Sequence, residues 1–200
     1  MDHHPPRCLP RRAPSHDGRE LPVSRRALIR TATLGAGLMT AWRPATTRAA
    51  AFSAASLIVP VRLQIPVIGV DAGIEQVHII DGVMEAPQDP WKVGWYSQLA
   101  MSGRAMDLVL AGHRDWWEVG PAVFWDLAQL TSGAEATITT HDGRDMVYAV
   151  HAIEEVPVSE PPHTYLTGAG PNALTLMTCA GAFEDGSYDS RLVVRCVRVG

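Results

Sequence analysis

Short apolar runs separated by turn residues fill the chain from Leu57 onward, and this pattern constrains the fold more than any other feature. In ATITTHDGRDMVYAV (136–150), two alternating runs flank Asp142-Gly143, which predicts a type I′ hairpin. Further runs of strand length are MDLVLAGH (106–113), ALTLMTC (173–179) and RLVVRCVRV (191–199). Seven or eight short strands with little helix predict a mainly β fold, either a closed barrel or a sandwich.

Two other segments carry secondary signals. LIVPVRLQIPVIGV (57–70) contains two prolines, and proline cannot donate to a sheet ladder, so we expect an edge or entry strand there rather than a central one. GPAVFWDLAQL (120–130) places Phe124, Leu127 and Leu130 at near-helical spacing. This spacing predicts one short amphipathic helix.

Charge divides the chain into two parts. Residues 1–56 hold nine Arg and three acidic residues, a net +6, whereas residues 57–200 hold eight Lys and Arg and eighteen acidic residues, a net −10. We therefore expect a disordered basic leader over 1–56 and one domain over 57–200. The acidic domain lacks the clustered positive charge of nucleic-acid-binding proteins, so we expect no nucleic-acid partner. Glu154-Glu155 and Glu184-Asp185 are short acidic pairs that we interpret as solvated loop charge.

The leader carries the features of an export signal. Arg25-Arg26 precedes the weakly apolar segment TATLGAGLMTAW (31–42), which is too short to span a bilayer comfortably. A twin-arginine signal peptide accounts for this order of residues. Small residues at positions 49–51 suit cleavage near Ala51. Removal of the leader and its retention as a membrane anchor both remain open.

Three cysteines, Cys8, Cys179 and Cys196, are too few and too scattered for a disulfide framework or a Cys-based zinc site. After export, Cys179 and Cys196 either form one bridge or leave one thiol as a nucleophile. On a regular strand, Cys196 and Arg191 point to opposite faces. We therefore predict that Cys196 is a core residue and does not pair with Cys179.

Two predicted strands end in side chains that are able to react. His113 directly follows LVLAG, Cys179 ends LTLMTC, and Arg191 begins the last strand. A thiolate is a nucleophile, an imidazole carries protons near neutral pH, and a guanidinium stays charged beside a developing oxyanion. Spacing alone also leaves a purely structural role open for each of them.

Six segments occur in an order that resembles the sortase family of cysteine transpeptidases, and its class E or F branch most closely. They are IPVIGVDA (65–72), VGWY (93–96), AGHRD (111–115), GPAVFWDL (120–127), LTLMTCAG (174–181) and SRLVV (190–194). The resemblance covers essentially the whole of residues 57–200. It implies a closed eight-stranded sortase-like β-barrel with one or two short helices.

The resemblance also implies a catalytic set of Cys179, His113 and Arg191. Cys179 would attack the Thr carbonyl of an LPXTG-like sorting signal, cleaving between Thr and Gly through a thioacyl-enzyme. His113 would protonate the departing amine and then assist an incoming amine, while Arg191 would steady the oxyanion. Thr178 would add a donor to the substrate site. Trp116-Trp117 would form either a wall for the peptide or a cap on the barrel.

The implied partners are the C-terminal sorting-signal peptides of secreted proteins and the amine of a peptidoglycan precursor. We expect no cofactor and no metal, a monomer, and a place at the extracytoplasmic face of the membrane or in the cell wall. Membrane association through the N-terminal segment stays open. Two alternatives remain: a hydrolytic cysteine peptidase that uses the same three residues, and a non-catalytic exported β-barrel binding module.

Overall fold

The structure is a computed structural model that describes residues 58–100, 107–161, 166 and 172–200. The predicted leader, with its predicted export signal and Cys8, lies outside the described residues. Within the described part of the chain, no helix is both long enough and apolar enough to cross a membrane.

Eight strands close into a barrel in the order β1-β2-β5-β6-β11-β12-β10-β9, which confirms the predicted architecture. These strands are β1 (Pro60–Ile65), β2 (Val70–Val77), β5 (Val93–Tyr96), β6 (Leu108–Gly112), β9 (Glu135–Thr140), β10 (Asp145–Pro157), β11 (Leu174–Glu184) and β12 (Ser187–Arg198). Two ribbons lie outside the barrel: β3 (Ile79–Ile80) with β4 (Val83–Met84), and β7 (Asp115–Trp116) with β8 (Gly120–Pro121). The described helical elements are α1 (Ser97–Ala100) and two 3₁₀ turns, Pro66–Ile68 and Leu127–Gln129.

The segment 57–70 contains the first strand of the barrel, as expected of an entry strand, but the edge alternative is wrong, because β1 pairs with β2 on one side and with β9 on the other. Its two prolines are tolerated because of where they lie. Pro60 is the first residue of the strand, and Pro66 begins the 3₁₀ turn that follows it. Neither proline therefore has to donate from the middle of a ladder.

The predicted type I′ turn at Asp142-Gly143 is also wrong, because only Gly143 has a positive φ there. The Gly143 amide donates to the Thr140 carbonyl, and the Thr140 amide donates to the Arg144 carbonyl, which makes a three-residue loop closed by glycine. Two other Asp-Gly pairs, Asp81-Gly82 and Asp185-Gly186, have positive φ at both residues. These two pairs form the two-residue hairpin loops of the described chain.

The predicted amphipathic helix at 120–130 is a strand end followed by turns and the 3₁₀ turn Leu127–Gln129. Backbone hydrogen bonds tie its first residues to the neighbouring chain: the Ala122 amide donates to the Arg114 carbonyl, and the Phe124 amide to the His113 carbonyl. A continuous helix would break these bonds. The apolar spacing is still used, because Phe124, Leu127 and Leu130 are all buried in the core.

The barrel wall carries apolar side chains on both faces. The inner cluster fills the barrel and includes Leu63, Leu110, Tyr148, Leu176 and Val194. A separate outer cluster lies on the alternate positions of β5, β6, β11 and β12, together with the last residues of β2 and β4, and consists of Val77, Met84, Tyr96, Val109, Ala111, Met177 and Val193. Strands that are apolar on both faces explain why β5 and β6 are buried at every position.

Candidate active site

Cys179 and Arg191 are brought together by the pairing of β11 with β12. The two residues are directly opposite each other in the antiparallel register, and side chains at such positions share one face with Cβ atoms about 5 Å apart. Cys179 shares its face with Met177, and Arg191 shares its face with Val193, so both belong to the outer face of the barrel. Their side chains are nearly covered, with exposures of 2% for Cys179 and 5% for Arg191.

His113 is brought to the same place by the parallel pairing of β6 with β11. The register runs from Leu108 opposite Leu174 to Ala111 opposite Met177, and two more residues along each strand lead to His113 and Cys179. Thr178 reinforces this end of the pair, because its hydroxyl donates to the Gly112 carbonyl at 2.9 Å.

The imidazole of His113 has two identified neighbours. Its Nε2 lies 2.8 Å from the Pro87 carbonyl oxygen, and since a carbonyl only accepts, Nε2 carries a proton in this contact. The Trp116 indole packs edge-on against the imidazole at a centroid distance of 4.7 Å. These two contacts fix the ring plane and leave Nδ1 outside the hydrogen bond to Pro87.

Close packing explains why a glycine, Gly112, precedes the histidine. A Cβ at this position would lie 2.7 Å from the Phe124 ring and 2.8 Å from Val123. The absence of a side chain therefore lets the 122–124 segment pack directly against the end of β6. Any larger residue would push apart the two segments that hold His113.

Two cavities meet at Cys179. The first, which we call the catalytic cavity, is lined by Pro87, His113, Arg191 and Cys179 among others and has a volume of about 20 Å³, room for about one water molecule. The second, which we call the rim cavity, is lined by Arg114, Trp125, Glu155, Leu192 and Cys179 among others and has a volume of about 240 Å³. The catalytic cavity thus contains all three residues that the sequence singles out.

A cluster beside the rim cavity has no role predicted from the sequence. It consists of Asp115, Tyr188 and Arg114. The Tyr188 hydroxyl donates to the Asp115 carboxylate at 2.5 Å. Burial, together with this hydrogen bond, raises the pKa of Tyr188 to about 12, so the phenol keeps its proton at neutral pH. The Arg114 guanidinium lies over the rings of both Trp125 and Tyr188, at 5.6 and 5.3 Å. The cluster connects the segment after His113 to β12, which carries Arg191.

A bulge in β11 follows Cys179 directly. The register with β12 shifts between Ala180 and Phe183, and Gly181 has a φ of 79°. A Cβ at Gly181 would clash with the Asp189 carboxylate, which accepts from the Ala182 amide at 3.0 Å. The glycine in the segment TCAG is therefore required by the loop that closes behind the nucleophile position.

Cys196 lies in the inner cluster, fully buried, which confirms the prediction that it is a core residue. It is a free thiol, so it does not pair with Cys179. Burial raises the pKa of Cys196 to about 12. A nucleophilic role for Cys179 requires its reduced form.

The model of the sortase domain family matches residues 63–199. The chain belongs to the sortase family. No curated protein matches the chain.

The solved structures that this sortase resembles support the same barrel. Sortase A from Corynebacterium diphtheriae matches with 22% identity and a TM-score of 0.56, over 71% of this chain and 61% of that one. Sortase C-1 from Actinomyces oris matches with 25% identity and a TM-score of 0.55, over 70% and 75%. Sortase C1 from Streptococcus agalactiae matches with 24% identity and a TM-score of 0.53, over 70% and 68%. The chain thus spans less than two thirds of the length of the Corynebacterium enzyme.

The remaining residues predicted for the site of this sortase lie in different surroundings. Thr178 lines both cavities. Trp116 is half-buried against His113. Trp117 is 72% exposed, in the turn between β7 and β8, and does not line either described cavity. In the described part of the chain, His, Cys, Asp and Glu side chains form no group suited to hold a metal ion.

Proposed function

We propose that this sortase is a transpeptidase whose reduced Cys179 cleaves an LPXTG-like sorting signal between Thr and Gly and transfers the acyl group to a cell-wall amine. The observation that carries the proposal is the cross-strand pair of Cys179 and Arg191 with His113 lining the same cavity. Class E or F membership is part of this proposal and rests on the six sequence segments.

The proposed first step forms the thioacyl-enzyme. The Cys179 thiolate attacks the Thr carbonyl carbon, and the carbonyl oxygen becomes an oxyanion next to the Arg191 guanidinium. The C–N bond to Gly then breaks as His113 Nδ1 gives its proton to the leaving amine. The Pro87 carbonyl supports this step, because it accepts from Nε2–H and thereby holds the imidazole ring in place. In the second step, an amine attacks the thioester, the C–S bond breaks, and the imidazole takes a proton from the new amide nitrogen.

The peptide side chains need apolar contacts next to Cys179. Met177, Ala111 and Tyr96 line the catalytic cavity beside the proposed catalytic set, on the outer face of the barrel. We propose that the residues before the Thr lie along this face. Thr178 supports the site through its bond to Gly112, and Trp116 does so by holding the imidazole. Trp117, exposed on its turn, would contact the more distant part of the peptide.

The test uses the reduced protein and a peptide of the Leu-Pro-x-Thr-Gly type, with and without an amine. We expect a thioacyl adduct on Cys179 in the mass spectrum and a ligated product that requires the amine. Cys179→Ala should lower product formation by about 10³-fold or more, whereas Cys196→Ala, the matched control in the core, should keep it. Cleavage without ligation would instead identify the hydrolytic peptidase. Equal behaviour of Cys179→Ala and the wild type would identify a binding module.

Export and the place of action at the extracytoplasmic face are part of the same proposal. They rest on the Arg25-Arg26 leader and on family membership. The proposed monomer, the sorting-signal partners and the peptidoglycan-precursor amine are inferred from the family alone.

A further inference from the structure

We infer that Tyr188 is a positioning residue, because its hydrogen bond to Asp115 holds the proposed proton donor and the proposed oxyanion donor at a fixed separation. These two groups are His113 and Arg191. The inference rests on the proposed function, since it concerns the geometry of the same catalytic set. Asp115 follows His113 by two residues, and Tyr188 lies three residues before Arg191 on β12. The bond therefore joins the segment of one catalytic side chain to the strand of the other.

The order of the strands is the first support. Strand β11 lies between β6, which leads to His113, and β12, which carries Arg191. Both β6 and β12 pair with β11, so the sheet relates the two side chains through the strand of Cys179. The Tyr188 hydroxyl donates to the Asp115 carboxylate at 2.5 Å. This bond connects β7 directly to β12, without the intervening strand.

The second support is that the regular ladders end at the site. The register of β6 with β11 ends at Ala111 opposite Met177, two residues before His113. The register of β11 with β12 shifts just beyond Ala180, and Tyr188 lies past this shift. Because the ladder is disrupted at a bulge, a side-chain bond made beyond it supplies a restraint that the strand pairing itself loses.

Both catalytic segments transmit this restraint. The Arg191 guanidinium donates from Nη1 to the Ser190 carbonyl at 2.9 Å, so it moves with the backbone of β12. On the other side, the His113 carbonyl accepts from the Phe124 amide, which anchors the histidine segment to the packed 122–124 segment. Asp115 is therefore a fixed point on that side, and the hydroxyl bond ties β12 to it.

The bond itself is of a strong type, and it can be removed without removing the ring. A hydroxyl that donates to a carboxylate forms a charge-assisted hydrogen bond. Burial, together with this bond, raises the pKa of Tyr188 to about 12, so the phenol stays a donor. Its ring packs against Phe183 at 5.0 Å and under the Arg114 guanidinium at 5.3 Å. Tyr188→Phe keeps both ring contacts and deletes only the donor.

The test compares Tyr188→Phe with Tyr148→Phe, which deletes the same hydroxyl from the inner cluster. The reduced protein and the peptide of the proposed function are used without an acceptor, and rates are corrected for the folded fraction. We expect Tyr188→Phe to lower the maximal rate of thioacyl formation about 10-fold, because misplaced reacting groups slow the chemical step. The peptide concentration at half-maximal rate should stay unchanged. Tyr148→Phe should match the wild type in both quantities.

Variants of Asp115 separate positioning from a general loss of structure. Asp115→Asn keeps an acceptor for the hydroxyl and should stay within about 3-fold of the wild-type rate, since only the charge of the bond is lost. Asp115→Ala removes the acceptor and should lower the rate about 10-fold. The double variant with Tyr188→Phe should be no slower than either single variant, because both substitutions break the same bond.

Four results would overturn the inference. They are a wild-type rate in Tyr188→Phe, an equal loss in Tyr148→Phe, a loss in Asp115→Asn as large as that in Asp115→Ala, and a double variant whose loss is the product of the two single losses.

Failure of the proposed function is distinguishable from these results, because the wild-type protein would then form no thioacyl adduct. Alkylation of Cys179 by iodoacetamide would still report the geometry, since a thiolate depends on its neighbouring cations. Tyr188→Phe should slow this alkylation, and Tyr148→Phe should not. An unchanged alkylation rate in Tyr188→Phe would overturn the inference independently of the peptide.

Discussion

The two faces of the strand pair β11 and β12 are both apolar, but one forms the barrel core and the other leads to the candidate active site. On the inner face, Leu176, Val194 and Cys196 are fully buried in the barrel. On the outer face, Met177 and Val193 form a smaller cluster that continues into Cys179 and Arg191. Because neighbouring residues of a strand alternate between these faces, a substitution one position away separates stability from chemistry.

Among variants that keep Cys179, the largest effect on activity alone is expected at Arg191. Arg191→Lys keeps the positive charge but loses the planar fork of donors that would face the oxyanion. Loss of such a donor lowers kcat by about 10²- to 10³-fold. Single-turnover thioacyl formation, followed by mass spectrometry, measures this, and the melting temperature should stay close to that of the wild type.

The matched control is Arg195→Lys, on the same face of the same strand and bound to Glu154. It should form the thioacyl-enzyme at the wild-type rate. A wild-type rate in Arg191→Lys, or the same loss in both variants, would remove Arg191 from the proposed catalytic set.

On the inner face, Leu176→Ala should change stability without changing the chemistry. Leu176 is fully buried in the inner cluster, and truncation of such a leucine lowers the free energy of unfolding by about 2–5 kcal/mol. Urea unfolding measures the loss. The rate of thioacyl formation, corrected for the folded fraction, should remain within about 2-fold of the wild type. The substitution lowers the stability of the fold but removes no group that contacts the reacting atoms. A loss of rate as large as that of Arg191→Lys would mean that the two faces are not independent.

The β-barrel could be predicted because its signals are local. Each strand has its own apolar run, and turn residues mark where each strand ends. The sequence also placed Cys196 in the core, since parity along one strand decides which face a residue occupies. It did not predict the start of the 120–130 segment, where hydrogen bonds to His113 and Arg114 override helical spacing. Contacts of this kind lie beyond the three- to four-residue spacing from which a helix is predicted.

The same limit applies to the candidate site. The sequence singled out Cys179, His113 and Arg191, since each is a reactive residue type at a strand end. The Pro87 carbonyl beside His113 carries no side-chain signal, because the contact is made by the backbone. Tyr188 and Asp115 are 73 positions apart. Glu155, predicted to be solvated loop charge, is exposed but lies on β10 rather than in a loop.

The smallest expected effect concerns the pH dependence of stability on the inner face. Burial raises the pKa of Cys196 from 9.0 to about 12. In the unfolded chain the thiol ionises from about pH 9, while the folded protein keeps its proton, so stability is lost as pH rises between these two values. Between about pH 8 and about pH 10, this residue should lower the free energy of unfolding by about 1 kcal/mol.

Cys196→Val removes this contribution, so its unfolding free energy should fall less than that of the wild type over the same interval. Urea unfolding at the two pH values, with reductant present, measures the difference. Tyr148, whose pKa burial raises to about 12, contributes in the same direction in both proteins and cancels in the comparison. Identical pH dependence of the two proteins would show that the thiol ionises as easily inside the barrel as in water. The inner face next to the catalytic strand would then be open to solvent, and its separation from the outer face would fail.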